Sequence, residues 1–297
     1  MTLLDLPLVT QLISSQFPRW SGLAVTPVEK SGWDNRTFRL GETMLVRLPS
    51  AERYVAQVAK EQYWLPQLAP KLPLAIPVPV GLGRPEFGYP WPWSIYGWIE
   101  GQTADRAHIA DHGQFADGLA GFLKALHAID ARDGPLAGDH SFHRGGSLAV
   151  YDAETRDAIA ALAADVDGQA ATAVWETALQ SSWQGPPVWV HGDIAEGNLL
   201  VRDGRLTAII DFGSSGTGDP ACDLVIAWTL LYASSRARFR KAIDLDECCW
   251  QRARGWALWK AVITLVQHRD SKVPQVRQPR QVLQAILEDH HGAEPAA

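Results

Sequence analysis

The hydrophobic pattern of the chain changes near residues 97–101, and this change limits the possible folds more than any other feature. Before it, from Ser21 to Val46, apolar and polar residues alternate between turn-forming stretches, which is typical of short antiparallel strands. After it, apolar residues recur at helical spacing. We therefore predict an α+β fold of two lobes, with residues 1–98 as a lobe built on an antiparallel sheet and residues 99–297 as a mainly helical lobe.

One helix is expected within the first lobe, between Ser50 and Pro66. Ser50 suits an N-cap, and Pro66 is expected to end or kink the helix. The apolar stripe of this helix also carries Glu61. Because an unpaired buried carboxylate is costly, we expect a cationic partner, and Arg47 in the preceding segment LVRLP supplies one.

Charge and cysteine usage argue against several kinds of partner. Lys and Arg total 27 against 33 Asp and Glu, a net charge of -6, so no polycationic surface for nucleic acid is expected. The cysteines form no CxxC pair, which predicts neither a disulfide framework nor a zinc site. No apolar run approaches the roughly 18 residues that a membrane span requires. We expect a cytoplasmic protein without a nucleic-acid or membrane partner.

The stretch HGDIAEGNLLV, residues 191–201, places Asp193 and Asn198 where an apolar strand begins. The following RDGR suits a two-residue type I′ turn, so the next strand, LTAII, would end at Asp211. In that hairpin Asn198 would oppose Ile209 and lie diagonal to Asp211. Two oxygen-bearing side chains would then converge on one hard cation such as Mg²⁺. Asp193 would stand beside it, free to accept a proton from an attacking hydroxyl or to orient it.

The spacing of His, Asp and Asn matches the kinase catalytic loop, and Asp211-Phe212-Gly213 supplies the metal motif expected downstream. Each motif is weak alone, but their order and combination are specific. With GDPACDL, FLKALHAI and MLVRLP added, the chain resembles the aminoglycoside phosphotransferase family, most closely its macrolide phosphotransferase branch. The resemblance implies a two-lobed protein-kinase-like fold that binds ATP or GTP in the cleft and transfers its γ-phosphate to a hydroxyl of a small molecule.

The resemblance also implies roles for individual residues. Asp193 would be the catalytic base, and Asn198 and Asp211 the Mg²⁺ ligands. Arg47 stands where a lysine is usual, and Arg can bind phosphate through two N–H groups where Lys acts as a point charge. Gly97 and Ile99 match the hinge whose backbone receives the purine. The residues expected to bind nucleotide are Arg47, Glu61, Gly32, Tyr96, Gly97 and Ile99.

The acceptor is expected to be small because the segment after the metal motif is short. Only SSGTG separates Gly213 from Asp219, which suits the N-cap of a helix with Pro220 at its first position. A protein substrate would need a longer platform there.

Two other functions stay open at this point. A non-catalytic, pseudokinase-like nucleotide-binding module is compatible with Arg47 and with the plain turn at Gly32. A metal-dependent hydrolase would use His191 and Asp193 as ligands, but further ligands at metal spacing are missing. The sequence leaves open whether the acceptor is an antibiotic or a metabolite, whether ATP or GTP is the donor, and the oligomeric state.

Overall fold

The computed structural model describes residues 5–28, 34–268 and 277–293. Its strands are β1 (Val25–Pro27), β2 (Asn35–Leu40), β3 (Met44–Pro49), β4 (Pro79–Gly83), β5 (Trp93–Gly97), β6 (Gln102–Thr103), β7 (Val188–Val190), β8 (Leu199–Arg202), β9 (Arg205–Ile209) and β10 (Gly216–Gly218). Its helices are α1 (Leu6–Gln16), α2 (Val55–Leu68), α3 (His112–His127), α4 (Asp152–Ala161), α5 (Gly168–Leu179), α6 (Ile226–Thr229), α7 (Ala233–Ile243), α8 (Glu247–Gln267) and α9 (Arg277–Ala293).

The first part of the chain forms the predicted antiparallel sheet, with strand order β1-β2-β3-β5-β4. Phe38, Val46 and Ile95 lie side by side on the three central strands, and all three are buried. Side chains that are neighbours across strands project from the same face of a sheet. The buried residues of α1 belong to the same apolar cluster, so α1 packs against this sheet.

Two details of the N-terminal helices differ from expectation. α1 lies outside the predicted elements; its N-cap is Asp5, whose Oδ1 accepts a hydrogen bond from the Leu8 N–H at 3.1 Å. The predicted N-cap at Ser50 is wrong, because α2 begins only at Val55, after a 3-10 turn. Pro66 lies within the last turn of α2. That turn continues to Leu68, which is buried, and the burial of apolar area outweighs one missing hydrogen bond.

The second part of the chain is built on helices, as predicted. α3 turns its buried face, which includes Phe115, Leu119 and Leu123, into the main apolar cluster. α8 is buried along most of its length and contacts α4, α5 and α9. Among the described helices, none combines the length and hydropathy that a bilayer crossing requires.

The hairpin of β8 and β9 has the predicted turn but a shifted register. Asp203 and Gly204 both adopt positive φ, as a type I′ turn requires. An irregularity between Leu200 and Val201 displaces the pairs farther from the turn, so Leu199 faces Ile209. The predicted pairing of Asn198 with Ile209 is therefore wrong, because the extra residue of a bulge cannot be read from turn type alone.

Candidate active site

The loop that carries Asp193 follows β7 and is held by one buried carboxylate. Asp223 accepts hydrogen bonds from the main-chain N–H groups of His191 at 2.8 Å and Gly192 at 2.7 Å. Gly192 adopts φ +84°, and a Cβ there would lie 2.3 Å from the Ser214 carbonyl oxygen, so only glycine fits. Burial raises the pKa of Asp223, while the hydrogen bonds from the two loop N–H groups lower it in part. Asp223 thus fixes the start of the loop.

His191 is a buried residue that orients the loop. Its Nδ1 accepts a hydrogen bond from the Asp193 N–H at 3.2 Å, so Nε2 carries the proton and donates to the Ile210 carbonyl at 3.0 Å. The ring also packs edge-on against Phe212, with centroids 4.5 Å apart. Both ring nitrogens are engaged, which leaves His191 no lone pair for the metal of a hydrolase. Within the described ranges, no group of three His, Cys, Asp or Glu residues could hold a metal ion.

Each carboxylate oxygen of Asp193 has a different partner. Oδ1 lies 2.9 Å from Lys260 Nζ, and Oδ2 accepts a hydrogen bond from Asn198 Nδ2 at 3.2 Å. Asn198 Nδ2 also donates to the main-chain oxygen of Asp193 at 2.9 Å. Burial alone would raise the pKa of Asp193, but Lys260, followed by Arg144, lowers it to about 2. The side chain keeps 38% of its surface exposed, so an ionised carboxylate remains reachable from outside.

Asn198 and Asp211 each carry a side-chain oxygen that no described residue engages. Because Asn198 directs its amide nitrogen to Asp193, its Oδ1 has no donor among the described residues. Asp211 adopts φ +67°, which Asp tolerates better than most residues, and its Oδ1 lies 2.6 Å from Arg47 Nη2. Its Oδ2 has no donor in the described part of the chain. One amide and one carboxylate oxygen thus stay open, and Mg²⁺ prefers ligands of this kind.

A buried chain of polar contacts joins the sheet to Asp211. Arg47 Nη1 lies 3.5 Å from Glu61 Oε1, so the predicted ion pair is present, and Glu61 Oε2 accepts a hydrogen bond from the Tyr96 hydroxyl. Burial lowers the pKa of Arg47, but Asp211 and Glu61 outweigh it and the net shift is upward. Burial, together with Glu61, raises the pKa of Tyr96 well above its ordinary value. β5, α2, β3 and the end of β9 are therefore linked through one guanidinium.

At the expected hinge, fewer main-chain groups are free to bind a purine than the sequence suggests. The Gly97 N–H donates to the Val78 carbonyl at 3.1 Å. The main chain of Ile99, by contrast, makes no hydrogen bond to any other described residue. Tyr96 is 2% exposed and donates its hydroxyl to Glu61, so its buried side chain stabilises the Arg47–Glu61 ion pair. Gly32 lies outside the described residues.

A second lysine, Lys60, ties α2 to the segment after Asp211. Its Nζ donates to the carbonyl oxygens of Gly213 and Ser215, both at 2.7 Å, and to that of His140 at 3.2 Å. Burial lowers the pKa of Lys60 to about 8. The helix that presents Glu61 is thereby attached to the loop that follows Asp211.

Comparison with known proteins identifies the family. The model of the phosphotransferase enzyme family matches residues 25–262. The chain belongs to this family. Among curated proteins, an aminoglycoside 3′-phosphotransferase of Escherichia coli is 31% identical over 150 residues, 47% of this chain and 52% of that protein. The chain therefore spans about half the length of the curated relative that it matches.

Solved structures of phosphotransferases share the fold over nearly the whole chain. The GDP complex of a mutant aminoglycoside 2′-phosphotransferase-IIIa superposes with a TM-score of 0.72 at 20% identity, covering 97% of this chain and 99% of that one. The apoenzyme of a macrolide 2′-phosphotransferase from Brachybacterium faecium gives a TM-score of 0.62 at 20% identity, with 98% and 99% covered. At this identity the likeness shows the fold, a two-lobed kinase-like α+β arrangement.

Two lysines of this phosphotransferase family member were missed in the sequence. Lys60 precedes Glu61 on α2, and Lys260 lies on α8, 67 residues after Asp193. For Lys60, a lysine on the buried side of a helix was the only available signal, whereas Lys260 lies on α8, which carries apolar residues on nearly every side. Asp219 was placed correctly, since its Oδ1 accepts a hydrogen bond from the Ala221 N–H at 3.0 Å and caps the following turn.

Proposed function

We propose that the chain transfers the γ-phosphoryl group of ATP or GTP to a hydroxyl of a small molecule. The acceptor oxygen forms a bond to the γ-phosphorus, the bond to the bridging oxygen breaks, and the nucleoside diphosphate leaves. Asp193 accepts the hydroxyl proton or orients the hydroxyl. The observation that carries this proposal is the carboxylate of Asp193, ionised, reachable and held at both oxygens by Lys260 and Asn198, in a member of a phosphotransferase family.

The nucleotide would lie between residues 1–98, the nucleotide-binding lobe, and residues 99–297, the lobe that carries Asp193 and the acceptor pocket. Asn198 Oδ1 and Asp211 Oδ2 would hold Mg²⁺, which when bound neutralises phosphate charge. The remaining roles fall to residues described above: Arg47, positioned by Glu61 and Tyr96, would contact the phosphates, while Gly97 and Ile99 would receive the purine and Gly32 would cover the phosphates.

The segment after Asp211 supports a small acceptor. β10 pairs with β7 directly, with Gly216 opposite Val190, and Asp219 then caps the next 3-10 helix. The chain therefore returns to the core where a protein kinase would extend a peptide platform. The names of the relatives, which are aminoglycoside and macrolide phosphotransferases, favour an antibiotic-like hydroxyl compound, with a hydroxylated metabolite as the other candidate.

The test is a transfer assay with γ-labelled ATP or GTP, Mg²⁺ and parallel panels of aminoglycosides, macrolides and hydroxylated metabolites. Asp193→Asn should lower turnover by about 10²- to 10⁴-fold because it removes the carboxylate that accepts the proton or orients the hydroxyl. Asp203→Asn is the matched control, since Asp203 is 92% exposed in the β8–β9 turn and asparagine tolerates its positive φ.

Two results would contradict the proposal. Undiminished turnover in Asp193→Asn would remove Asp193 from the reaction. Nucleotide binding without transfer to any acceptor would instead support the non-catalytic, pseudokinase-like module. The contact of Arg47 with Asp211 at 2.6 Å favours this second function, because it occupies one oxygen of a proposed metal ligand.

A further inference from the structure

Lys260 approaches Asp193 from an element that has no part in the nucleotide motifs. It lies on α8, and its Nζ is 2.9 Å from Asp193 Oδ1. The catalytic loop itself, HGDIAEGN, contains two carboxylates and no lysine or arginine. The positive charge closest to the proposed base is therefore brought by tertiary structure.

The surroundings of Lys260 hold it in place. Its neighbour Trp259 is buried and donates from Nε1 to Glu154 Oε2 at 2.7 Å, which anchors this turn of α8 to α4. The guanidinium of Arg144 lies 4.4 Å from the Trp259 ring centroid. Arg144 has no ion-pair partner among the described residues, and its charge also acts on Asp193. Lys260 thus contacts the carboxylate of Asp193, and the charge of Arg144 acts on it as well.

An ion pair as exposed as that of Lys260 and Asp193 contributes little to the stability of the fold. The side chains of Lys260 and Asp193 keep 40% and 38% of their surface exposed. Exposed pairs contribute about 0–1 kcal/mol, because water screens the attraction and two side chains lose freedom. A role in the reaction explains the position of Lys260 better than a role in folding.

The reaction creates a charge problem at this position. In the proposed transfer, the Asp193 carboxylate and the γ-phosphate lie on either side of the same acceptor hydroxyl, and both are negative. Their repulsion would weaken binding of the triphosphate and would push Asp193 away from the hydroxyl. A cation fixed at Asp193 offsets both effects.

We propose that Lys260 is a positioning residue for phosphoryl transfer, which holds Asp193 toward the acceptor hydroxyl and offsets its charge against the γ-phosphate. This inference rests on the proposed function. It predicts that Lys260 discriminates between a nucleoside triphosphate and a diphosphate, although it belongs to neither the hinge nor the metal site.

The experiment measures the dissociation constants of ADP and of a non-hydrolysable ATP analogue, each with Mg²⁺, by titration calorimetry. GDP and a GTP analogue serve in the same way if the protein prefers guanine. Lys260→Met should weaken the triphosphate analogue about tenfold relative to the diphosphate, since an uncompensated carboxylate then faces the γ-phosphate. Lys260→Arg should restore the wild-type ratio, and so should Asp193→Asn added to Lys260→Met. Lys241→Met is the control for net charge, because Lys241 is exposed on α7.

The other outcomes would contradict either the role of Lys260 alone or the proposed function as well. An unchanged ratio in Lys260→Met, or equal weakening of both nucleotides, would overturn the role of Lys260 and leave the proposed function standing. Failure of the folded wild-type protein to bind any of these nucleotides would overturn the proposed function, and this inference with it. Thermal unfolding of each variant separates loss of binding from loss of fold.

Discussion

Replacing Arg47 by alanine removes one cation from between two carboxylates. Arg47 lies 2.6 Å from Asp211 and 3.5 Å from Glu61. Removing one partner of a buried pair costs about 3–5 kcal/mol. We expect the lower end, about 3 kcal/mol, because Glu61 keeps the Tyr96 hydroxyl and Asp211, at 35% exposed, regains water.

Glu61→Ala removes the longer contact of Arg47 and the acceptor of the Tyr96 hydroxyl, but it should be milder because Arg47 stays paired with Asp211. A loss of about 2 kcal/mol is expected, as for a hydrogen bond to a charged group. The double variant Arg47→Ala/Glu61→Ala should then lose at least about 1 kcal/mol less than the sum of the two single variants, because residues in contact are coupled.

The assay is urea unfolding of the four proteins of this cycle, with the affinity for Mg²⁺-nucleotide measured in parallel. Arg39 and Glu100 form the matched control pair, at 3.4 Å but with side chains 31% and 62% exposed. Their coupling should be at most about 1 kcal/mol. If the Arg47 and Glu61 effects add within about 0.5 kcal/mol, or if Glu61→Ala is the more damaging change, the reasoning from the two distances is wrong.

Three further predictions concern the metal site, a buried ion pair and a buried histidine. Asp211→Asn should weaken Mg²⁺-dependent nucleotide binding in calorimetry because it removes a formal charge from the proposed cation site, and an unchanged affinity would contradict that assignment. Arg252→Met should lower the free energy of unfolding by about 3–5 kcal/mol, since Asp219 is 8% exposed and loses both of its contacts with Arg252, at 2.6 and 3.2 Å. A loss below about 1 kcal/mol in urea would refute this prediction. Burial lowers the pKa of His127 to about 4 from 6.5, so the unfolded chain binds the proton first as pH falls, and stability should decline from pH 6.5 toward 4. His127→Leu should flatten that decline in pH-dependent thermal melts, and an unaltered slope would show that other groups cause it.

Local features of the site could be read from the sequence because they depend on short-range geometry. The five-residue spacing of Asp193 and Asn198 lets the Asn198 amide donate hydrogen bonds to Asp193 within a single loop. The Asp203-Gly204 turn follows from the positive φ values that these residues tolerate. The sheet and the helices could also be told apart from the sequence. Alternating apolar and polar residues indicate strands, apolar residues at helical spacing indicate helices, and each pattern depends only on neighbours a few residues away.

Other features were decided by tertiary structure alone. The bulge in the β8–β9 hairpin shifted the partner of Asn198 by one residue, because the cross-strand register is settled by packing on both faces of the hairpin as well as by its turn. Lys260 reaches Asp193 only because α8 packs in one rotation against the rest of the helical core. Burial of apolar area is nearly non-directional, so many rotations of so apolar a helix satisfy it locally. Only the joint packing of the surrounding helices selects the one that turns a lysine toward the loop of Asp193.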